Sequence, residues 1–282
     1  METRGGSSQI LDSHCHFWQL SRGDYGWLQT DGESLSHIRK DFRVFDYPAK
    51  CRVVAVQAAP TVAETDYLLA LAAEYPFILG VVGWIDLASP GSIEILERRS
   101  SNPKLKSVRP MLQDIEDTDW LLTAPRSDVL NTIRRLGLRF DALVTERHLP
   151  MLAKFAANNP EIPIVVDHGG KPQPGDKFNW KDGMRALSRS PRIHCKLSGL
   201  LTEFSREELL NPKHVLDAIF GQLLDWFGPH RLMWGSDWPV LTLAASYEDW
   251  IGYTQELLDH LSPAEREAIM GGTAIHFYGL TE

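Results

Sequence analysis

The segment Leu11-Asp12-Ser13-His14-Cys15-His16-Phe17-Trp18 closes the first apolar run of the chain, and Met233-Trp234-Gly235-Ser236-Asp237-Trp238-Pro239-Val240 closes the last. In an extended strand, residues two apart share a face, so His14 and His16 point the same way and can converge on one metal ion or one substrate. Two imidazoles and a distant carboxylate suggest hydrolysis, provided the fold brings the two ends of the sequence together.

Between these segments, short β-branched or apolar runs recur with helix-length intervals. Strands are expected at residues 10–18, 51–59, 78–87, 105–113, 138–145, 163–169, 193–200 and 231–240. Helical patterns fall at 62–74, 93–100, 127–136, 149–158, 178–188, 212–227 and 247–257, with a closing helix at 263–270. Such alternation is the signal of parallel strands joined by crossovers, and eight strands favour a closed (β/α)8 TIM barrel over an open sheet. One barrel domain spanning residues 1–282 is expected, with residues 1–9, polar and Gly/Ser-rich, as a flexible tail. The connection 19–50 is long and polar. In a barrel it leaves the carboxyl end of the first strand, where it either caps the mouth or is a surface insertion.

A chain of 282 residues with 43% hydrophobic content can bury a large core. Its net charge of −8 argues against nonspecific nucleic-acid binding or an anionic membrane surface, both of which need a basic face. No apolar stretch approaches the roughly 20 residues of a transmembrane helix, and the first residues lack a signal-peptide apolar region, so a cytoplasmic location is expected. Cys15, Cys51 and Cys195 are odd in number and fall in expected strands, which reads as free buried thiols. The expected partner is a small molecule; oligomeric state leaves no signal in the sequence.

Barrel active sites gather at the carboxyl ends of strands. There stand His14 and His16 on the first strand, Arg109 on the fourth, His168 on the sixth and Asp237 on the eighth. Alternation turns Cys15 and Asp167 away from the histidine face, toward the helix layer. Gly169-Gly170 lets backbone approach a ligand closely. Asp237 serves catalysis or caps the following turn.

With this ring in place the chain resembles the amidohydrolase superfamily, and within it the amidohydrolase family 2 branch of sugar-lactone and aromatic-lactone hydrolases. The resemblance rests on the two opening segments together with Val56-Gln57-Ala58, Gly83-Trp84-Ile85-Asp86-Leu87, Val108-Arg109, Val165-Val166-Asp167-His168-Gly169-Gly170-Lys171-Pro172 and Cys195-Lys196-Leu197-Ser198-Gly199-Leu200. It implies a (β/α)8 barrel that opens a cyclic ester with water. Asp237 becomes the water-activating base, Arg109 and His168 hold the carbonyl oxygen, and His14, His16, Asp237 and His168 form the candidate metal set.

Binuclear members carry a bridging carboxylated lysine or carboxylate at strand 4 and a histidine at strand 5. Here strand 4 ends in Arg109, and His148 stands where the branch more often shows a glutamine, so a two-metal bridge is not expected. One divalent ion, zinc by its preference for imidazole nitrogen, is compatible with the set. Metal-free operation is equally compatible, since a guanidinium can stabilise the oxyanion.

A dicarboxylate substrate calls for several arginines at the strand ends, and Arg109 alone is placed there. Gln57, Trp84, Lys171 and Trp238 suit a neutral sugar ring, so an aldonolactone such as that of L-fuconate, L-rhamnonate or L-galactonate is the expected substrate. A carboxylated lactone from aromatic breakdown, decarboxylation, and noncatalytic sugar-acid binding are the alternatives.

Overall fold

Strands β1 (Leu11–Cys15), β2 (Arg52–Val56), β3 (Ile78–Gly83), β4 (Leu105–Val108), β5 (Arg139–Ala142), β6 (Ile164–Val166), β7 (Ile193–Leu197) and β8 (Leu232–Trp234) form one parallel sheet in sequential order in the computed structural model, which describes residues 10–30, 33–175 and 177–281. The seam closes beyond the last strand: Asp237 N donates to His14 O at 2.7 Å, and His16 N donates to Trp238 O at 2.7 Å. The architecture is therefore the expected (β/α)8 barrel. The expected tail at residues 1–9 lies outside the described residues.

Crossover helices α1 (Val62–Glu74), α2 (Ser92–Ser100), α3 (Ser127–Arg135), α4 (Leu149–Asn158), α5 (Phe178–Ser188), α6 (Pro212–Phe227) and α7 (Tyr247–Leu258) coat the sheet. They pack Leu68, Leu96, Ile133, Leu152, Leu223 and Trp250 onto its outer face, all buried in one continuous core. A second, smaller cluster joins Leu11, Val54, Val56 and Val165 to Phe277 and Tyr278 near the chain's end. The last helical turn, Thr273–Tyr278, thus packs against strand residues separate from the outer core. Among the described residues, no helix is long and apolar enough to cross a membrane.

The strands are shorter than the apolar runs that announce them. Residues 16–18, 57–59, 109–113, 167–169 and 235–240 lie beyond the strand ends and lead into the barrel mouth. The connection between β1 and β2 buries Leu28 and Ile38 completely and anchors Trp27 Nε1 to Ala58 O at 2.7 Å. It therefore covers the mouth rather than decorating the surface.

A buried carboxyl ties this cover to α1. Thr61 caps the helix by accepting from Glu64 N, while the Glu64 side chain accepts from Tyr25 Oη at 2.7 Å and Ala58 N at 3.2 Å. Burial pushes the Glu64 carboxyl up to about 7, against these hydrogen bonds and Arg22, which lower it. A raised folded-state value means the stability it contributes is complete below its ordinary 4.5 and is lost as pH rises through about 7. Glu64→Gln should therefore shrink the drop in Tm between about pH 5 and about pH 8. An unchanged drop would show that Glu64 does not couple the cover to pH.

Candidate active site

Three imidazoles surround one carboxylate oxygen at the carboxyl end of the barrel. Asp237 Oδ1 lies 3.1 Å from His16 Nε2, 3.6 Å from His14 Nε2 and 3.9 Å from His168 Nε2. All four residues are buried. His168 and Asp237 reach this point through left-handed backbone, at φ 54° and 58°, a conformation that non-glycine residues rarely adopt and that clusters at functional sites. Two glycines make room for the cluster. A Cβ at Gly235 would stand 2.7 Å from His14 Cβ, and one at Gly199, whose φ is +57°, would collide with the His168 ring.

Beneath the imidazoles lies a charge cluster centred on Lys196. Its fully buried ammonium reaches Asp141 Oδ2 at 2.5 Å, Asp167 Oδ1 at 3.0 Å and His14 Nδ1 at 3.1 Å. Asp141 also accepts from Ser107 Oγ at 2.5 Å and Tyr278 Oη at 2.7 Å, so the polar column runs from the last helical turn to the site. Burial raises the Asp141 carboxyl above its ordinary range. Burial also pushes Asp167 up, but Lys196, His14 and Arg109 outweigh it and hold Asp167 well below that range. His14 is held well below its usual value by burial and by Lys196. His168 falls to about 4, chiefly through burial. Both rings are therefore neutral near pH 7. Burial opposes ionisation of Asp237, yet His168, the His16 hydrogen bond and His14 together lower it below the carboxylate range, so it is ionised.

Sequence alternation misplaces Asp167. β6 ends at Val166, and Asp167 keeps the inward parity of Val165, which belongs to the second cluster with Leu11 and Val54. It contacts Arg109 Nη1 at 3.4 Å, His14 Nδ1 at 3.5 Å and Lys196. His168 enters the same interior by its left-handed turn rather than by strand alternation. Lys196 was missed as well. The available signal was a lysine inside the apolar run Ile193–Leu197, a position tolerated only when the charge is paired.

His16 and His168 floor a cavity of about 320 Å³ that Arg109, Lys171 and Asp237 also line. A larger cavity of about 880 Å³, bordered by Arg147, Ala153, Asp182 and Ala186, shares Lys171 with it but contains none of the imidazoles. Of the expected substrate contacts, Lys171 alone faces the smaller cavity, paired with Glu203 at 2.9 Å. Gln57 is fully buried and braces Arg109: its Nε2 donates to Arg109 O at 2.8 Å, and Arg109 Nη2 donates to Gln57 O. Trp84 lines a minor cleft against Thr65, Ile95 and Arg99 in the helix layer. Trp238 packs against Phe17, Phe42 and Tyr47, with ring centroids 5.3 to 6.0 Å apart. These three positions follow from residues that leave the ladder on the helix side or are enclosed by the cover. His148 stays outside the cluster, bonded through Nδ1 to Thr145.

The backbone of Asp237 is set from behind by Asp12. The Asp12 carboxylate accepts from Ser236 Oγ at 2.5 Å, Tyr47 Oη at 2.7 Å, Ser236 N at 2.8 Å and His14 N at 3.0 Å. One buried side chain thereby fixes both the backbone of the first imidazole, His14, and the residue that precedes the base, Ser236.

A family model described as Amidohydrolase matches residues 11–280. The chain belongs to the amidohydrolase family. This amidohydrolase is 38% identical over 281 residues to an L-fucono-1,5-lactonase of Burkholderia ambifaria, covering 95% of the chain and 94% of the relative. It is 36% identical over 296 residues to an L-fucono-1,5-lactonase of Burkholderia multivorans, covering 96% of each. The crystal structure of an amidohydrolase from Burkholderia multivorans with bound zinc superposes with a TM-score of 0.85 at 34% identity, over 97% of this chain and all of that one.

The donor set of this amidohydrolase fits a divalent ion. His16 Nδ1 faces the Val56 carbonyl at 2.8 Å and so carries a proton, which leaves a neutral ring's Nε2 lone pair facing the Asp237 oxygen. A proton or a cation between those two acceptors resolves the conflict. His14 Nε2 is buried without a hydrogen-bond partner, and donor atoms of His14, His168 and Asp237 all lie within 4.8 Å of one another. The His14 tautomer decides whether its Nε2 can join. An Nδ1–H directed at Asp167 frees the lone pair, whereas a Lys196 proton donated to Nδ1 places the hydrogen on Nε2.

Proposed function

We propose that this amidohydrolase hydrolyses a neutral sugar lactone, an aldono-1,5-lactone, to the open aldonic acid. The observation that carries this reading is the Asp237 oxygen, 3.1 to 3.9 Å from three imidazoles, two of which, His16 and His168, line a small cavity with it. The lactonase relatives support the same reaction class. Asp237 takes a proton from water as the water oxygen bonds to the lactone carbonyl carbon. Arg109 lines the cavity with its buried Nε unpartnered, and it stabilises the oxyanion together with His168. Collapse breaks the ring C–O bond, and the proton on Asp237 passes to the leaving alkoxide.

His14, His168 and Asp237, with His16 beside them, would hold one zinc ion, which supplies Lewis-acid stabilisation of the oxyanion and a more acidic water. Arg109 and Asp237 provide oxyanion stabilisation and a base from the protein itself, so we expect hydrolysis to continue after chelation. Three free thiols, Cys15 and Cys195 among them fully buried, accord with a cytoplasmic setting.

Proton release after adding aldono-1,5-lactones tests the reading, with a carboxylated pyrone as the contrasting substrate and a chelator in parallel. Acidification with the sugar lactone, surviving the chelator, is expected. Faster turnover of the carboxylated pyrone would overturn the substrate class, and loss of all activity on chelation would assign the oxyanion to the metal.

The pH dependence has a definite sign. Near neutrality His168 is uncharged and Asp237 is a carboxylate. As pH falls through about 4, His168 gains a proton and its charge weakens the base beside it. kcat/KM should be level from about pH 5 to about pH 7 and fall on the acid side. A decline already complete at about pH 6 would place the controlling group elsewhere.

A further inference from the structure

The cavity above the imidazoles has two unlike arcs. Trp27, Leu35 and Val240 belong to the connections after β1 and β8, which are neighbours around the barrel, and their wall is apolar. Gln113, Asp114, Lys171 and Thr202 follow β4, β6 and β7 and give the remaining wall its polar groups, interleaved with Ala58, Met111 and Leu143. Asp114 is exposed at this wall and shares a hydrogen bond with Gln113. Lys171 and Arg109 lie within its electrostatic reach, but each has its own carboxylate, Glu203 at 2.9 Å and Asp167 at 3.4 Å. The carboxylate of Asp114 therefore lines the cavity with Gln113 as its neighbouring donor and with acceptor capacity left for a ligand.

A carboxylate offers acceptors only, so its match is a pair of hydroxyl donors, and its charge disfavours a second carboxylate. Gln113 adds an amide that both donates and accepts, and Thr202, whose hydroxyl donates to Gly199 O at 3.0 Å, adds an acceptor. The apolar arc suits the carbon face of a ring or a methyl substituent. We propose that Asp114, supported by Gln113 and Thr202, is the specificity-determining residue that recognises adjacent hydroxyls of a neutral polyhydroxylated lactone and excludes carboxylated ones. The inference rests on the lactone reading for the identity of the ring, and it assigns the wall that selects the substituents.

Non-cleavable analogues separate selection from chemistry. Calorimetry would compare a polyhydroxylated 1,5-lactam with the unsubstituted six-membered lactam on the wild-type enzyme and on Asp114→Ala and Asp114→Asn variants of confirmed fold. Loss of a hydrogen bond to a charged group predicts that the preference for the hydroxylated lactam falls about ten- to hundredfold in Asp114→Ala. Asp114→Asn, which keeps an acceptor, should lose less. An undiminished preference in Asp114→Ala, or equal weakening of both lactams, would overturn the assignment. Wild-type enzyme that binds the hydroxylated lactam in an Asp114-dependent manner but leaves every lactone intact would uphold the wall and overturn the hydrolytic reading.

Discussion

Asp237→Asn should lower kcat by about 10² to 10⁴, the range for loss of a positioned general base, while the barrel remains folded. Asparagine matches aspartate in size but cannot take a proton from water. The backbone contacts at this position survive the exchange: Asp237 N still donates to His14 O, and Leu241 N still donates to the carbonyl at 2.9 Å. The side chain itself contacts the imidazoles rather than the core, so thermal unfolding should shift little. Initial rates of acidification, paired with a melting curve, check both halves. A folded variant with wild-type turnover would remove Asp237 from the base role.

Lys196→Met should destabilise the fold by about 3 to 5 kcal/mol, the usual consequence of removing one partner from a buried ion cluster. Methionine fills most of the volume, but it leaves the Asp141 and Asp167 carboxyls without the ammonium that stands 2.5 and 3.0 Å from them. The pH dependence distinguishes this from a packing defect. In the wild type, the depressed Asp167 value contributes stability that is present above the ordinary carboxylate range and is lost as pH falls through the folded value. Without Lys196, the buried carboxyls favour their protonated forms, so the deficit should be largest near neutrality and shrink below about pH 5. Urea unfolding at several pH values measures it. A deficit independent of pH would mean that Lys196 acts through shape alone.

The alternation of strands and helices, and with it the barrel, was legible because buried parallel strands read as short apolar runs separated by helix-length intervals. The cluster of His14, His16, Arg109, His168 and Asp237 was legible for the same reason: each closes such a run, and a barrel gathers strand ends at one face. Where strand geometry stops, so does the pattern. Asp167 keeps the inward parity of Val165 while His168 turns in at φ 54°, so two neighbours face one interior, which a period of two forbids. Lys196 was given no role from the sequence, because its role depends on Asp141 from β5 and Asp167 just past β6, pairings that no local pattern announces. Gln57, Trp84 and Trp238 were placed by their sequence position at strand ends. Their orientation depends on the reciprocal bonding of Gln57 with Arg109, on the helix layer around Trp84 and on the aromatic cover over Trp238. Asp114 lies past a strand end in a three-residue 3-10 helix, Leu112–Asp114, too short for either period to announce.

The central claim is that water, deprotonated by Asp237, attacks the lactone carbonyl carbon. A single turnover in water labelled with heavy oxygen, followed by mass spectrometry of both the aldonic acid and the peptide containing Asp237, tests it most directly. One labelled oxygen in the product carboxyl and none in Asp237 is the predicted result; label in the sugar hydroxyl or in the Asp237 side chain would contradict it.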